Sequence, residues 1–277
     1  MKIGLALGGG GVRGMAHLRV LEVLDELGVR PSVIAGTSMG AIIGALYASG
    51  YSGSELRDGV RELMISKDDG PGDIWRKKSS LMKWFQFFRL KSGRRAVFSP
   101  DGFMDFLLEN LGVTMIEDLE IPFRAVATDY YREEAFVFSS GEILPAIKAS
   151  MSVPGVFEPV KFEGRVLVDG GVVNNLPYRI IENECDAVIA VDVNPTRDPD
   201  ETEPPSLTNA VMGVFDSLMN EVTLFKLKES PPAIYYRPDL RGIRLLDFDK
   251  IESVYEKTEE SIDSFRRQVQ DLIGSTS

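Results

Sequence analysis

The sequence predicts an α/β protein, a mainly parallel sheet covered by helices on both faces. Three observations predict it. Short apolar runs alternate with segments of helical period along the whole chain. Three of those runs end in glycine-rich or Asp-Gly-Gly turns: Gly8–Gly14, Gly36–Gly40 and Asp169–Gly171. The chain shows no internal repeat.

Length and composition suit this class. The chain has 277 residues, 44% hydrophobic and 26% charged, within the range of one large domain. No apolar run approaches the roughly 20 residues of a membrane span. Met1–Leu7 is too short for a signal peptide and runs into glycines rather than a cleavage site. Cys185 is the one cysteine and His17 the one histidine. That composition excludes an intrachain disulfide and a structural zinc site, and it fits a cytoplasmic location. A net charge of −11 disfavours nucleic acid as a partner.

In chain order, Lys2–Leu7 reads as a buried strand and Met15–Leu27 as a helix stopped at Gly28. Between them, Gly9, Gly10, Gly11, Val12, Arg13 and Gly14 match G-x-G-x-x-G. Three readings compete. A dinucleotide site wants an acidic residue at the end of the next strand, and here that strand ends in Gly36-Thr37-Ser38. A P-loop wants Gly-Lys-Ser/Thr, which is missing. The third reading is an oxyanion hole, since successive glycines free backbone amides to converge on an anion. Arg13 then holds the loop or adds positive potential.

Val33–Ala35 reads as the next strand and Ala41–Ala48 as a helix. Between them lies Gly36-Thr37-Ser38-Met39-Gly40, a Gly-x-Ser-x-Gly pentapeptide in the strand–turn–helix context of a nucleophile elbow. Gly36 and Gly40 remove the Cβ atoms that a sharp turn would press onto the strand. Ser38 projects at a helix N-terminus, where amides and dipole favour developing negative charge. The plainer reading is a serine that only caps the helix. His17, fixed inside the first helix, reads as a packing residue rather than the base of a triad, so a carboxylate base is sought instead.

A helix opens at Ser54, and Asp68–Asp73 is a loop. Ile74–Phe98 is the most unusual stretch. It carries Arg76, Lys77, Lys78, Lys83, Arg89, Lys91, Arg94 and Arg95, no acidic residue, and Trp75, Trp84, Phe85, Phe87 and Phe88. Cations interleaved with aromatics suit peripheral contact with an anionic membrane surface. They equally suit a lid whose rings pack on the core. Pro100–Leu111 reads as a helix, Phe123–Asp129 and Ala135–Phe138 as strands, and Ile143–Ser150 as a helix. Met151–Val160 reads as an ordered Pro-containing loop. Arg165–Val168 is a strand ending in Asp169, Gly170 and Gly171, where side chains converge on a cleft. Asn174–Glu184 reads as a helix, Ala187–Val193 as a buried strand, and Arg197–Pro205 as an acidic Pro-rich loop. Leu207–Lys228 is an amphipathic helix, Ala233–Pro238 a strand, and Ile251–Ile273 a closing helix.

Taken together and in this order, Gly9–Gly14, Gly36–Gly40 and Asp169–Gly171 resemble the patatin-like phospholipase family, in particular its small bacterial single-domain members. Ala127-Thr128-Asp129, Ala149-Ser150-Met151 with Pro154 and Phe157, and Asn174-Asn175-Leu176-Pro177 add to the likeness. The resemblance covers about residues 1–195, which it marks as a catalytic core. Residues 205–277 read as a C-terminal helical extension, within a single domain spanning 1–277. The resemblance implies a three-layer α/β/α fold akin to the catalytic domain of cytosolic phospholipase A2. It implies a Ser-Asp dyad, Ser38 as nucleophile and Asp169 as base, with a glycine-rich oxyanion loop. The implied activity is hydrolysis of lipid acyl esters, with no cofactor or metal. A non-enzymatic lipid adaptor has no need of both Ser38 and Asp169, and a nucleotide-binding oxidoreductase lacks its acidic residue.

If Ile74–Phe98 docks on membranes, neutralising Arg76, Lys77 and Lys78 should weaken binding to anionic vesicles several-fold and leave hydrolysis of a soluble ester intact. Unchanged vesicle binding leaves the lid reading.

Overall fold

The computed structural model describes residues 1–63, 107, 110–197, 199, 200, 202 and 204–275. The basic aromatic segment Ile74–Phe98 and most of the helix expected over Pro100–Leu111 lie outside the described residues.

Eight strands form one sheet: β1 (Ile3–Leu7), β2 (Val33–Thr37), β3 (Phe123–Asp129), β4 (Glu134–Phe138), β5 (Val160–Phe162), β6 (Arg165–Asp169), β7 (Ala187–Val191) and β8 (Ile234–Tyr236). Their order is β5-β6-β3-β2-β1-β7-β8, with β4 paired to β3 off this path. The pairs β2–β3, β1–β2, β1–β7 and β7–β8 are parallel. The pairs of β3 with β4 and β6, and of β5 with β6, are antiparallel. The sheet is therefore mixed and mostly parallel, as the sequence predicts, with the antiparallel strands gathered at one side.

The central strands are short apolar runs because both of their faces are covered. Alternate side chains enter two different cores. Leu5, Leu7, Ile34, Ile189 and Val191 join the larger core. Ala6, Val33, Ala35, Val188 and Ala190 join the smaller one. On the first face pack α1 (Ala16–Glu26), α2 (Met39–Ala48), α4 (Ile143–Ser150) and α8 (Ile251–Gly274), with α3 (Gly53–Leu63) against α1. On the second lie the one-turn helices α5 (Gly171–Asn174) and α6 (Tyr178–Ile181), and part of the long α7 (Leu207–Glu229).

Two local expectations change. The continuous helix expected over Asn174–Glu184 is only the single turn Tyr178–Ile181, and a separate turn, Gly171–Asn174, ends where it was to begin. Pro177, which lacks an amide, stands between them, at the N-cap of the second. The loop expected over Met151–Val160 runs into β5, a three-residue edge strand too short to announce itself.

Register puts the site at one edge. Leu7 pairs with Gly36 and with Val191, and Thr37 pairs with Val126. The next residue of β3, Ala127, pairs with Asp169. So β6 runs antiparallel to β3 yet ends level with the residue after Thr37, which is Ser38. Helix α2 begins directly on this edge. A Cβ on Gly40 would strike the Leu7 carbonyl, and one on Gly36 the Gly40 carbonyl. Backbone cannot yield as a side chain can, so Gly40→Ala is expected to cost about 3 kcal/mol or more. Urea unfolding measures this, and a loss below about 1 kcal/mol would contradict the packing described.

Candidate active site

Ser38 occupies the turn between β2 and α2 with φ 54° and ψ −121°, a positive φ that a serine seldom adopts. Three bonds hold it there. Its amide donates to Ser150 Oγ at 2.9 Å, and Ser150 Oγ donates to the Val126 carbonyl at 2.6 Å. Its own carbonyl accepts from the Ala41 and Ile42 amides. Thr37 Oγ1 donates to the Asn174 carbonyl at 2.9 Å, which ties the end of β2 to α5.

Asp169 ends β6 and is buried. Its Oδ1 accepts from the Gly171 amide at 2.7 Å, and its carbonyl accepts from Thr128 Oγ1 at 2.9 Å. Burial pushes the carboxyl up to about 6; the Ser38 hydroxyl and the Gly171 amide pull it back down in part. Ser38 thus faces Asp169. Asp169 Oδ2 nevertheless accepts no hydrogen bond of full geometry, as is common before a substrate tightens a site.

The other buried carboxylates at this edge are occupied. Asp129 Oδ2 accepts from Arg165 at 2.7 Å and from Arg132 at 2.8 Å. Asp192 accepts from Tyr235 Oη at 2.8 Å and the Asn194 amide at 2.9 Å.

The glycine loop lies against the turn. Gly9 approaches Ser38 so closely that a Cβ there would be 3.1 Å from Ser38 Cβ, and Gly14 sits on Met39. The Gly8 amide donates to Val191, Gly9 to Asn175, Val12 to Leu245 and Arg13 to Gly10, all to carbonyls. Among the described residues, the amides of Gly10 and Gly11 have no such backbone partner. Gly11 lines the pocket at Ser38.

His17 does not reach Ser38. Its Nε2 bonds the Gly8 carbonyl at 2.8 Å, so it braces the loop. Burial lowers its pKa to about 4, against the Gly8 bond that raises it, and the ring is neutral at pH 7. Arg13 is also buried. Its Nε donates to the Gly10 carbonyl at 3.1 Å, and its two terminal nitrogens form a bidentate pair with Asp216 of α7 at 2.8 and 3.1 Å. Of its two sequence readings, it holds the loop.

The sequence reading named Asn175 only as part of the family likeness, and it missed Asp216 and Leu245. Asn175 clamps Gly9 twice: its carbonyl accepts the Gly9 amide, and its Nδ2 donates to the Gly9 carbonyl at 3.1 Å. Asp216 and Leu245 come from the far end of the chain and carry no motif. Gly170 and Gly171 leave no room for side chains. A Cβ on Gly170 would strike the Val126 carbonyl, and one on Gly171 would lie 2.9 Å from Asp169 Oδ1.

An apolar pocket of about 30 Å³ opens at Ser38, between Met39, Ile42, Met151, Val156, Phe157, Leu245, Leu246 and Phe248. A wider polar cleft of about 810 Å³ runs beside Arg13, Arg197, Asp216 and Arg244 along α7. Among the described residues, no cluster of three or more His, Cys, Asp or Glu side chains is placed to hold a metal ion.

A family model described as patatin-like phospholipase matches residues 5–181, a span that includes the glycine loop, Ser38 and Asp169. The chain belongs to the patatin-like phospholipase family. Lysophospholipase NTE1 of Saccharomyces cerevisiae is 30% identical over 278 residues, 91% of this chain and 16% of the relative. Neuropathy target esterase sws of Drosophila melanogaster is 34% identical over 204 residues, 72% of this chain and 13% of the relative. This patatin-like chain thus spans less than a fifth of the length of those curated relatives. VipD of Legionella pneumophila, at 15% identity and a TM-score of 0.50, covers 95% of this chain and 66% of its own and shares the fold.

A buried carboxyl whose folded value is raised from 3.8 to about 6 binds its proton more tightly folded than unfolded. Stability therefore falls as pH rises from about 4 through 6, by about 3 kcal/mol in all. Asp169→Asn keeps the shape and loses the charge. It is expected to raise Tm by several degrees at pH 7.5 and by little at pH 4. Equal Tm shifts at both pH values would show that Asp169 ionises without cost.

Proposed function

We propose that this protein is a serine acyl hydrolase that cleaves carboxylic esters of phospholipids or lysophospholipids. The observation that carries the reading is the buried Asp169 carboxylate facing the Ser38 hydroxyl, at a pocket that Ser38 lines together with Gly11 of the glycine loop. The activities for which the relatives are named, lysophospholipase and esterase, support it.

In the first half-reaction Asp169 takes the Ser38 proton while Oγ attacks the ester carbonyl. The carbonyl oxygen becomes an oxyanion within reach of the Gly10 and Gly11 amides and the amide of Met39 at the start of α2. Each such donor typically lowers the barrier by about 3 kcal/mol. The alcohol or lysolipid leaves with the proton held by Asp169. In the second half-reaction Asp169 takes a proton from the water that attacks the acyl-serine and returns it to Ser38 Oγ as the fatty acid leaves. A pKa of about 6 suits both duties, since the carboxylate is mostly ionised at pH 7 yet far more basic than an exposed aspartate. The acyl chain enters the pocket at Met151 and Phe157. That pocket has about the volume of one liquid water, so a long chain continues outward past Leu246.

The test is the pH profile of kcat/KM on a soluble short-chain ester. Ionised Asp169 is the active form, so activity should be present above pH 6 and be lost as pH falls through about 6. Ser38→Ala should be inactive and Asp169→Asn reduced at least 1000-fold. His17→Gln should keep the same acid limb. Loss of that limb in a folded His17→Gln variant would return the base role to histidine. Full activity in Asp169→Asn would end the dyad reading.

A further inference from the structure

The residues that free the amides of the glycine loop also leave it unable to aim them. Gly8, Gly9, Gly10, Gly11 and Gly14 carry no Cβ, and Gly11 sits at φ 56°. Such a segment restricts its own backbone little, so the direction of its amides is set by whatever bonds its carbonyls. The peptides of the loop are trans. Across a trans peptide the carbonyl and the next N–H point in opposite directions. The Gly9 carbonyl accepts from Asn175 Nδ2 at 3.1 Å, which turns the Gly10 amide away from Asn175. The Gly10 carbonyl accepts from the Arg13 amide at 3.2 Å and from Arg13 Nε at 3.1 Å, which turns the Gly11 amide away from Arg13.

The Arg13 side chain is itself held from α7. A guanidinium is planar and rigid, so fixing its two terminal nitrogens fixes the direction of Nε–H. Asp216 fixes both, with Oδ1 at 2.8 Å from one and Oδ2 at 3.1 Å from the other. The Arg13 side chain is fully buried and that of Asp216 is 18% exposed. Shut off from water, the guanidinium needs a counter-ion. Among the described residues, Asp216 is the one carboxylate paired with it. Asp216 lies beyond residues 5–181, the span that matches the family model. So does Leu245, whose carbonyl takes the Val12 amide at 3.0 Å and would block a Cβ on Gly11.

We infer that Asp216 is a positioning residue of the hydrolase: through Arg13 it fixes the direction of the Gly11 amide, so that α7 completes the oxyanion loop from outside the family span. The inference rests on the hydrolase reading above. Asp216 touches no reacting atom. Because it neutralises Arg13, the pair supplies direction to the loop rather than positive potential. Its effect falls on the transition state, since the substrate oxygen carries full negative charge only there and a misaimed donor costs most at that point.

The test is steady-state hydrolysis of a soluble short-chain ester by the full chain, each variant assayed well below its Tm. Asp216→Asn should lower kcat about tenfold or more and leave KM within about threefold. A merely structural role would lower Tm and leave the kcat of the folded protein in place. Glu221→Gln removes a charge from the same polar cleft and should keep kcat within about twofold. The effect runs through Arg13, so Asp216→Asn added to Arg13→Lys should lower kcat by less than about twofold further. As a readout without catalysis, Asp216→Asn introduced into ¹⁵N-glycine-labelled Ser38→Ala protein should shift the Gly11 amide resonance and speed its exchange with solvent. Should Arg13→Lys fail to fold, that resonance decides. A wild-type kcat in Asp216→Asn, an equal loss in Glu221→Gln, an undiminished loss in the Arg13→Lys background, or an unmoved Gly11 resonance would overturn the inference. A wild type that cleaves no ester, with the Gly11 resonance moved, would overturn the hydrolase reading and leave the tie between Asp216 and the loop standing.

Discussion

Gly36 and Gly40 let α2 start directly on the ends of β1 and β2, and the rest of the site depends on that approach. With no Cβ at either position, the Leu7 carbonyl and the first turn of α2 share space that side chains would fill. The chain between them has room for one outward residue, Ser38, at φ 54°. A non-glycine residue there costs of order 1–3 kcal/mol and persists because its surroundings over-determine it. Ser150 and the first turn of α2 supply those surroundings. The same closeness brings Gly9 and Gly14 onto the turn. The glycine loop is then fixed from three further directions, by Asn175, by His17 and by Arg13 with Asp216. The lone histidine and the buried arginine serve this architecture, and the proposed mechanism gives the acid-base role to Asp169.

Burial of Asp169 links stability to chemistry. A carboxylate left in water near pH 4 is a weak base, and raising it to about 6 requires taking it out of water. Folding has to work against that desolvation at neutral pH. The neighbours reveal what an ordinary structural carboxylate looks like here. Asp129 is gripped by two arginines and Asp192 by a tyrosine and an amide, while Asp169 keeps one oxygen without a partner.

Much of this was legible in the sequence for local reasons. The buried strands are apolar on both faces, so Ile3–Leu7, Val33–Thr37 and Ala187–Val191 announce themselves without alternation. The Gly-x-Ser-x-Gly turn is readable because its steric requirement is met within five residues. Asp169 was legible through its Asp-Gly-Gly turn and the family likeness. What could not be read is set by contacts far apart in the chain. Nothing near Arg13 announces Asp216, 203 residues on. Nor does anything in Gly9–Gly14 show that the Leu245 carbonyl will take the Val12 amide and leave Gly10 and Gly11 open. The period of α7 predicts an amphipathic helix, but periodicity alone does not say which face turns inward. There one apolar stripe faces outward, while Met212, Met219 and Leu227 face the protein. Ile74–Phe98, the stretch whose composition pointed to a membrane or a lid, lies outside the described residues and keeps both readings.

The most direct measurement of the central claim is labelling with a fluorophosphonate ester at pH 7.5, read by mass spectrometry of the digested protein. An activated serine displaces fluoride and keeps the phosphonyl group; an ordinary capping serine does not react. The account predicts one modified residue, Ser38, in wild type and in His17→Gln, and slowing of at least 100-fold in Asp169→Asn. Labelling that is undiminished in Asp169→Asn, or that never reaches Ser38, would contradict it.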